Sequence, residues 1–184
     1  MFVKTVFIFH GVEGHPKENW FDWLKQKLES EECKVIVPQF PTPENQTLEK
    51  WLDVLEEYKN QINKNTLFIG HSLGVPFALN VIEQNKIGKA FLVSGFYGKA
   101  ENDFDDCMKT FAQRDFDWKK IKSNCKKFYV FHADDDPYIK LEKGKALAEK
   151  LDAEFIVVKD AGHFNESSGY TEFELLFETI KKEL

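Results

Sequence analysis

The sequence predicts an α/β fold of three layers: a doubly wound parallel sheet of about six strands with helices on both faces. Three observations predict it. Short apolar runs recur at residues 5–10, 34–37, 67–69, 89–94, 128–133 and 154–158, and most are separated by segments of helical spacing. The richest of these runs lack the polar alternation of a one-sided sheet, as expected for strands covered on both faces. Alternating strand and helix then calls for parallel pairing through right-handed crossovers. With a strand order of 2-1-3-4-5-6 the winding reverses between strands one and three, and ligands of such sheets bind at the reversal, outside the strand C-termini.

Each element has its own justification. Residues 5–10 (T-V-F-I-F-H) form the first buried strand, followed by the Gly-containing loop 10–16. Asn19 is placed to cap a helix whose apolar face is Trp20, Trp23, Leu24 and Leu28. Strand 34–37 is closed by Pro38, and Pro41 and Pro43 extend the next loop. Residues 47–62 carry the clearest helical stripe: Leu48, Trp51, Leu52, Leu55, Tyr58 and Ile62. Strand 67–69 leads into helix 75–82, and strand 89–94 follows. Strand 128–133 precedes helix 141–151, strand 154–158 comes next, and helix 170–184 turns Phe173, Leu176, Phe177 and Ile180 inward. Residues 95–124 break the alternation, with Phe96, Tyr97, Phe104, Phe111, Phe116 and Trp118 among acidic residues and a short helix beginning at Trp118. Two expectations fit this segment equally: a lid or pocket wall over the strand ends, or a crossover with ordinary core aromatics.

Length and composition bound the class. A chain of 184 residues with 42% hydrophobic content and 18 Phe is expected to fold as one domain, 1–184. A net charge of −6 argues against nucleic acid as a partner, and no basic block suggests an anionic membrane. Cys33, Cys107 and Cys125 show no zinc or redox spacing, so free thiols in a reducing compartment are expected. The start, Met1-Phe2-Val3-Lys4, runs straight into a strand without a signal-peptide pattern, and no stretch reaches membrane-spanning length. A cytoplasmic location is the default expectation.

The chemistry centres on Gly70-His71-Ser72-Leu73-Gly74, a G-x-S-x-G pentapeptide between strand and helix. That context suits a serine held at a strained turn, with glycines where strand and helix cross. Pro76 falls in the first helical turn, where a missing N–H costs nothing. A serine hydroxyl needs a general base. Of the five histidines, His163 follows the last strand in Ala161-Gly162-His163-Phe164 and is the candidate. His71 adjoins the serine and must point elsewhere; His10 and His132 close strands and read as buried, hydrogen-bonded residues; His15 is unconstrained. A histidine base works only when neutral, so activity is expected to rise from acid pH. The base needs a carboxylate partner, and Asp134, Asp135 and Asp136 all follow strand five. Asp136 is favoured because Pro137 stiffens the turn that aims it. The oxyanion donors are expected at the N–H of Leu73 and of Val12, with Gly11 and Glu13 as neighbouring alternatives. A metal held by His132, Asp134, Asp135, Asp136, His163 and Glu166 is the weaker expectation, since no H-E-x-x-H spacing occurs. No metal and no cofactor are expected.

The chain resembles the small serine hydrolases of the α/β-hydrolase superfamily, the YdeN-type and retinoblastoma-binding-protein group. The likeness runs through His10-Gly11, Trp20-Phe21-Asp22-Trp23-Leu24, Val37-Pro38 with Pro41 and Pro43, and the helix carrying Trp51. It continues through the pentapeptide, Phe116-Asp117-Trp118-Lys119-Lys120-Ile121, Asp135-Asp136-Pro137 and Gly162-His163-Phe164. The resemblance implies a catalytic triad of Ser72, Asp136 and His163, favouring Asp136 over its two neighbours, and hydrolysis through an acyl-enzyme. The expected substrate is a small acyl ester, with Phe96, Tyr97 and Phe164 as candidate substrate contacts. The alternative expectation is a protein-binding module on the same scaffold, with an unknown protein partner and weak or no turnover.

Overall fold

The computed structural model describes residues 4–184; Met1, Phe2 and Val3, read as the lead-in to the first strand, lie outside them. Six strands form one sheet in the order β2-β1-β3-β4-β5-β6. They are β1 (Thr5–Phe9), β2 (Lys34–Ile36), β3 (Leu67–His71), β4 (Ile87–Val93), β5 (Cys125–Ala133) and β6 (Glu154–Val158). Every pairing is parallel. The helices are α1 (Phe21–Ser30), α2 (Leu48–Glu56), α3 (Gly74–Gln84), α4 (Asp105–Ala112), α5 (Trp118–Asn124), α6 (Leu141–Leu151) and α7 (Glu174–Lys181). No described helix is long and apolar enough to cross a membrane.

Each face of the sheet has its own core. Along β1 the side chains alternate: Phe7 and Phe9 join Trp51, Phe68, Phe77 and Phe111 on the face that α3 packs against. Val6 and Ile8 join Trp20, Phe21, Leu24, Phe91 and Phe173 on the other, under α1 and α7. Both faces are buried, which is why the central strands read as unbroken apolar runs.

Three local expectations give way to tertiary contacts. Asn19 does not cap α1. Its backbone is left-handed (φ 51°), Trp20 occupies the cap position without a side-chain bond, and Asn19 Oδ1 accepts the Glu166 N–H at 3.0 Å. The helix expected over 47–62 stops at Glu56 and tightens into a 3-10 turn at Lys59–Gln61. Thr47 caps its start by accepting from Lys50 N–H. The tightening brings Tyr58 edge-on to Phe7 at 6.2 Å and returns the chain to the sheet. The last helix begins at Glu174 rather than near 170, because Tyr170 and Phe173 pack on Phe164 in the preceding loop.

Segment 95–124 contains α4 and α5 and is anchored to α3 by a polar network. Asn80 Nδ2 donates to the Phe111 carbonyl at 2.9 Å, and Arg114 bridges Asn80 Oδ1 at 2.6 Å and Glu83 Oε2 at 2.8 Å. Glu83 Oε1 also accepts the Asp117 N–H at 2.6 Å. Asn80 and Glu83 are buried, so losing one partner would strand a polar group away from water.

The crossing of β1, β3 and α3 has no room for side chains. A Cβ on Gly74 would stand 2.2 Å from the Phe9 carbonyl oxygen, and one on Gly70 would stand 2.7 Å from the Gly74 carbonyl oxygen. Both obstacles are backbone, which cannot swing aside. Gly74→Ala is therefore expected to lower unfolding free energy by about 3 kcal/mol or more, read from urea denaturation. A loss under about 0.5 kcal/mol would show that the crossing can relax.

Candidate active site

The turn after β3 places Ser72 in the left-handed region, at φ 53°. Such a conformation costs a residue with a Cβ about 1–3 kcal/mol and persists only when its surroundings hold it. Here Ser72 N–H donates to the Val93 carbonyl at 3.0 Å, and its own carbonyl accepts the Val75 N–H at 3.0 Å. The serine opens onto a cavity of about 210 Å³ at the C-terminal ends of the strands. Gly11 and Val12 from the loop after β1 line it, with Glu18 and Asn19 ahead of α1. Asn102, Phe104 and Met108 come from segment 95–124, Tyr138 and Ile139 follow β5, and His163 and Asn165 follow β6.

His163 and Asp136 meet directly. His163 Nδ1 lies 2.8 Å from Asp136 Oδ2 and 3.0 Å from Oδ1. Asp136 Oδ1 also accepts the N–H groups of Tyr138 at 2.9 Å and Ile139 at 3.0 Å. Burial opposes ionisation of this carboxyl, but the His163 bond, the nearby imidazole charge and the two N–H donors hold it below its ordinary range. A carboxylate on Nδ1 fixes the tautomer with the proton there and leaves Nε2 with a free lone pair. Among the described residues no hydrogen bond joins Ser72 Oγ to His163; the two side chains share the cavity wall. Asp134 and Asp135 serve the loop instead, accepting the N–H groups of Asp160 at 2.9 Å and Gly162 at 2.8 Å.

The other buried histidines are structural donors. His71 Nε2–H donates to the His163 carbonyl at 2.8 Å, so the residue beside the serine holds the backbone of the candidate base. His132 Nε2–H donates to the Ile139 carbonyl at 2.8 Å and thereby closes the turn that carries Asp136. His10 bonds the Gly11 carbonyl through Nδ1 at 2.8 Å and accepts the Phe40 N–H on Nε2 at 3.0 Å. Burial drives His10 from 6.5 to about 4, against the pull of the Gly11 carbonyl. Burial, then the neighbouring His163, drives His71 from 6.5 to about 3. His132 is lowered by burial as well.

Two backbone donors stand beside the serine. Val12 lines the cavity, and a Cβ on Gly11 would be only 3.1 Å from Ser72 Cβ, so the β1 loop lies against Ser72. Leu73 N–H opens the first turn of α3. Neither N–H has an acceptor among the described residues. Glu13 N–H is already committed to Thr42 Oγ1 at 2.8 Å, which removes Glu13 from the alternatives.

The expected substrate contacts are corrected. Phe96 is fully buried in the core, Tyr97 packs on Trp118 at 4.9 Å, and Phe164 stacks on Phe173 at 4.9 Å; none lines the cavity. The aromatic and apolar wall is Phe104, Met108, Tyr138 and Ile139, and Tyr138 sits edge-on to His163 at 5.0 Å. Glu18 is the carboxylate of the cavity lining that the sequence did not reveal. Burial raises its carboxyl above the ordinary range, the His15 N–H opposes this, and Glu166 adds to it. Cys33, Cys107 and Cys125 are free thiols, and burial pushes Cys125 up to about 12, so it stays protonated. Among the described residues no group of three or more His, Cys, Asp or Glu is arranged to hold a metal ion.

The chain matches known proteins over nearly its whole length. The family described as serine hydrolase matches residues 6–182. The protein YdeN of Bacillus subtilis is 32% identical over 181 residues, covering 96% of this chain and 94% of YdeN. The serine hydrolase RBBP9 of Rattus norvegicus is 28% identical over 166 residues, covering 90% and 86%. The crystal structure of the B. subtilis ydeN gene product superposes with a TM-score of 0.92 over 98% of both chains, at 31% identity. Est1E from Butyrivibrio proteoclasticus superposes at 0.74 over 98% of this chain and 86% of its own, at 15% identity, a likeness of fold alone.

The buried neutral imidazoles set an acid limit. Unfolded, His10 and His71 take up protons below about 6.5; folded, they do so only below about 4 and about 3. Their contribution to stability is thus complete above pH 6.5 and is lost as pH falls through the folded values. Denaturant titrations should show His10→Gln less stable at pH 7.5, with about 3 kcal/mol less decline between pH 6.5 and 4. An unchanged decline would mean that His10 is not held neutral.

Proposed function

The chain belongs to the serine hydrolase family, and from that premise we propose that it cleaves small carboxylic esters through an acyl-enzyme on Ser72. The observation that carries the proposal is the 2.8 Å bond between His163 Nδ1 and the buried Asp136, on the wall of the cavity that Ser72 enters. Ser72 Oγ attacks the ester carbonyl while His163 Nε2 takes its proton. Asp136 keeps the imidazole in the right tautomer and stabilises the imidazolium that forms. The Leu73 and Val12 N–H groups, without acceptors of their own, stabilise the oxyanion. Collapse of the tetrahedral adduct breaks the ester C–O bond, and the departing alcohol takes the proton from His163. Water then repeats the sequence on the acyl-enzyme, releasing the acid and restoring Ser72. Each step uses only water and groups of this chain. A cavity of about 210 Å³ suits a small substrate.

Hydrolysis of p-nitrophenyl acetate tests the proposal. Ser72→Ala should lower kcat/KM by about a thousandfold or more. Asp136→Asn should lower kcat on a similar scale, because an amide favours the wrong tautomer. Wild-type rates in Ser72→Ala would overturn the mechanism.

A further inference from the structure

We propose that Glu18 makes the leaving-group side of the cavity a cation subsite, so that the preferred substrates are esters of ammonium-bearing alcohols with small apolar acyl groups. This rests on the esterase reading above. The cavity has two unlike walls. Phe104 and Met108, from segment 95–124, offer apolar surface, whereas Glu18, Asn19 and Asn165 form a polar wall. Mechanism assigns the sides. The general acid must reach the departing oxygen, so the leaving group stands next to His163. Asn165 follows His163 by two residues, and Asn19 is tied to the same loop through the Glu166 N–H at 3.0 Å. The polar wall is therefore the leaving-group wall.

Among the described residues Glu18 is the only carboxylate on the cavity surface, and no Lys or Arg lines it. Among the described residues no Lys or Arg pairs with Glu18; the His15 N–H and the His15 imidazole are the neighbours that favour its ionised form. A half-buried carboxylate attracts an ammonium group more strongly than it would in bulk water. Tyr138, 42% exposed, ends the apolar wall edge-on to His163, so an aromatic ring also borders the place of the departing group, which favours an organic cation over a neutral isostere. The chain's net charge of −6 works in the same direction by raising the local concentration of cations.

The test compares acetylcholine with 3,3-dimethylbutyl acetate, its uncharged isostere, at fixed pH and ionic strength. The wild-type enzyme should favour the cationic ester by about tenfold in kcat/KM. Glu18→Gln should bring the ratio to about one, and Glu18→Asp, which keeps the charge, should keep the ratio above one. A wild-type ratio at or below one overturns the subsite, whatever the variants do, and so does an unchanged ratio in folded Glu18→Gln. Wild-type protein that hydrolyses the neutral ester or p-nitrophenyl acetate without cation preference loses only the subsite. Protein inert towards all three esters loses the esterase reading and the subsite together.

Discussion

The contact between Gly74 and the Phe9 carbonyl is the constraint on which the rest of the site depends. A Cβ there would fall 2.2 Å from that oxygen, so α3 starts hard against the end of β1. This closeness forces a sharp turn between β3 and α3 and puts Ser72 at φ 53°. It also sets the distance between the serine and the loop after β1, whose Gly11 and Val12 face it. The strain at the serine is held by a bond to the adjacent β4 end, at Val93. Backbone packing two strands wide thus determines where one hydroxyl stands.

Around that hydroxyl the histidines divide their tasks by burial. His10, His71 and His132 are buried and their proton affinities lowered. Each donates an N–H to a backbone carbonyl, and two of those carbonyls belong to His163 and to the turn beside Asp136. Among the described residues only His163 has a carboxylate within hydrogen-bond reach. Neutral imidazoles shape the frame, and one imidazole, hydrogen-bonded to a carboxylate, faces the cavity.

Much of this was legible in the residues because both faces of the sheet are buried. Apolar runs such as T-V-F-I-F-H mark strands whatever their neighbours, their alternation with helices calls for parallel pairing, and the strand order assumed with it is the one found. Ser72, Asp136 and His163 could be singled out because each follows a strand at the ligand-binding edge. What stayed hidden depends on contacts between distant segments. Asn19 has a capping side chain, but the Glu166 N–H competes for it across the chain. Composition marks Phe96, Phe104 and Phe164 alike as apolar; only packing separates two core residues from the one that lines the cavity. Glu18 looked like any charged loop residue, and its place in the cavity comes from how the 10–19 loop meets the 162–166 loop.

The central claim is that the strained turn, the Asp136–His163 pair and the two free N–H groups together make Ser72 a nucleophile. Treating the folded protein with a fluorophosphonate and mapping the adduct by peptide mass spectrometry tests it most directly. The account predicts a single phosphonyl adduct, on Ser72, that forms slowly or not at all in His163→Ala. A folded protein that takes no label, or takes it at another residue, would contradict it.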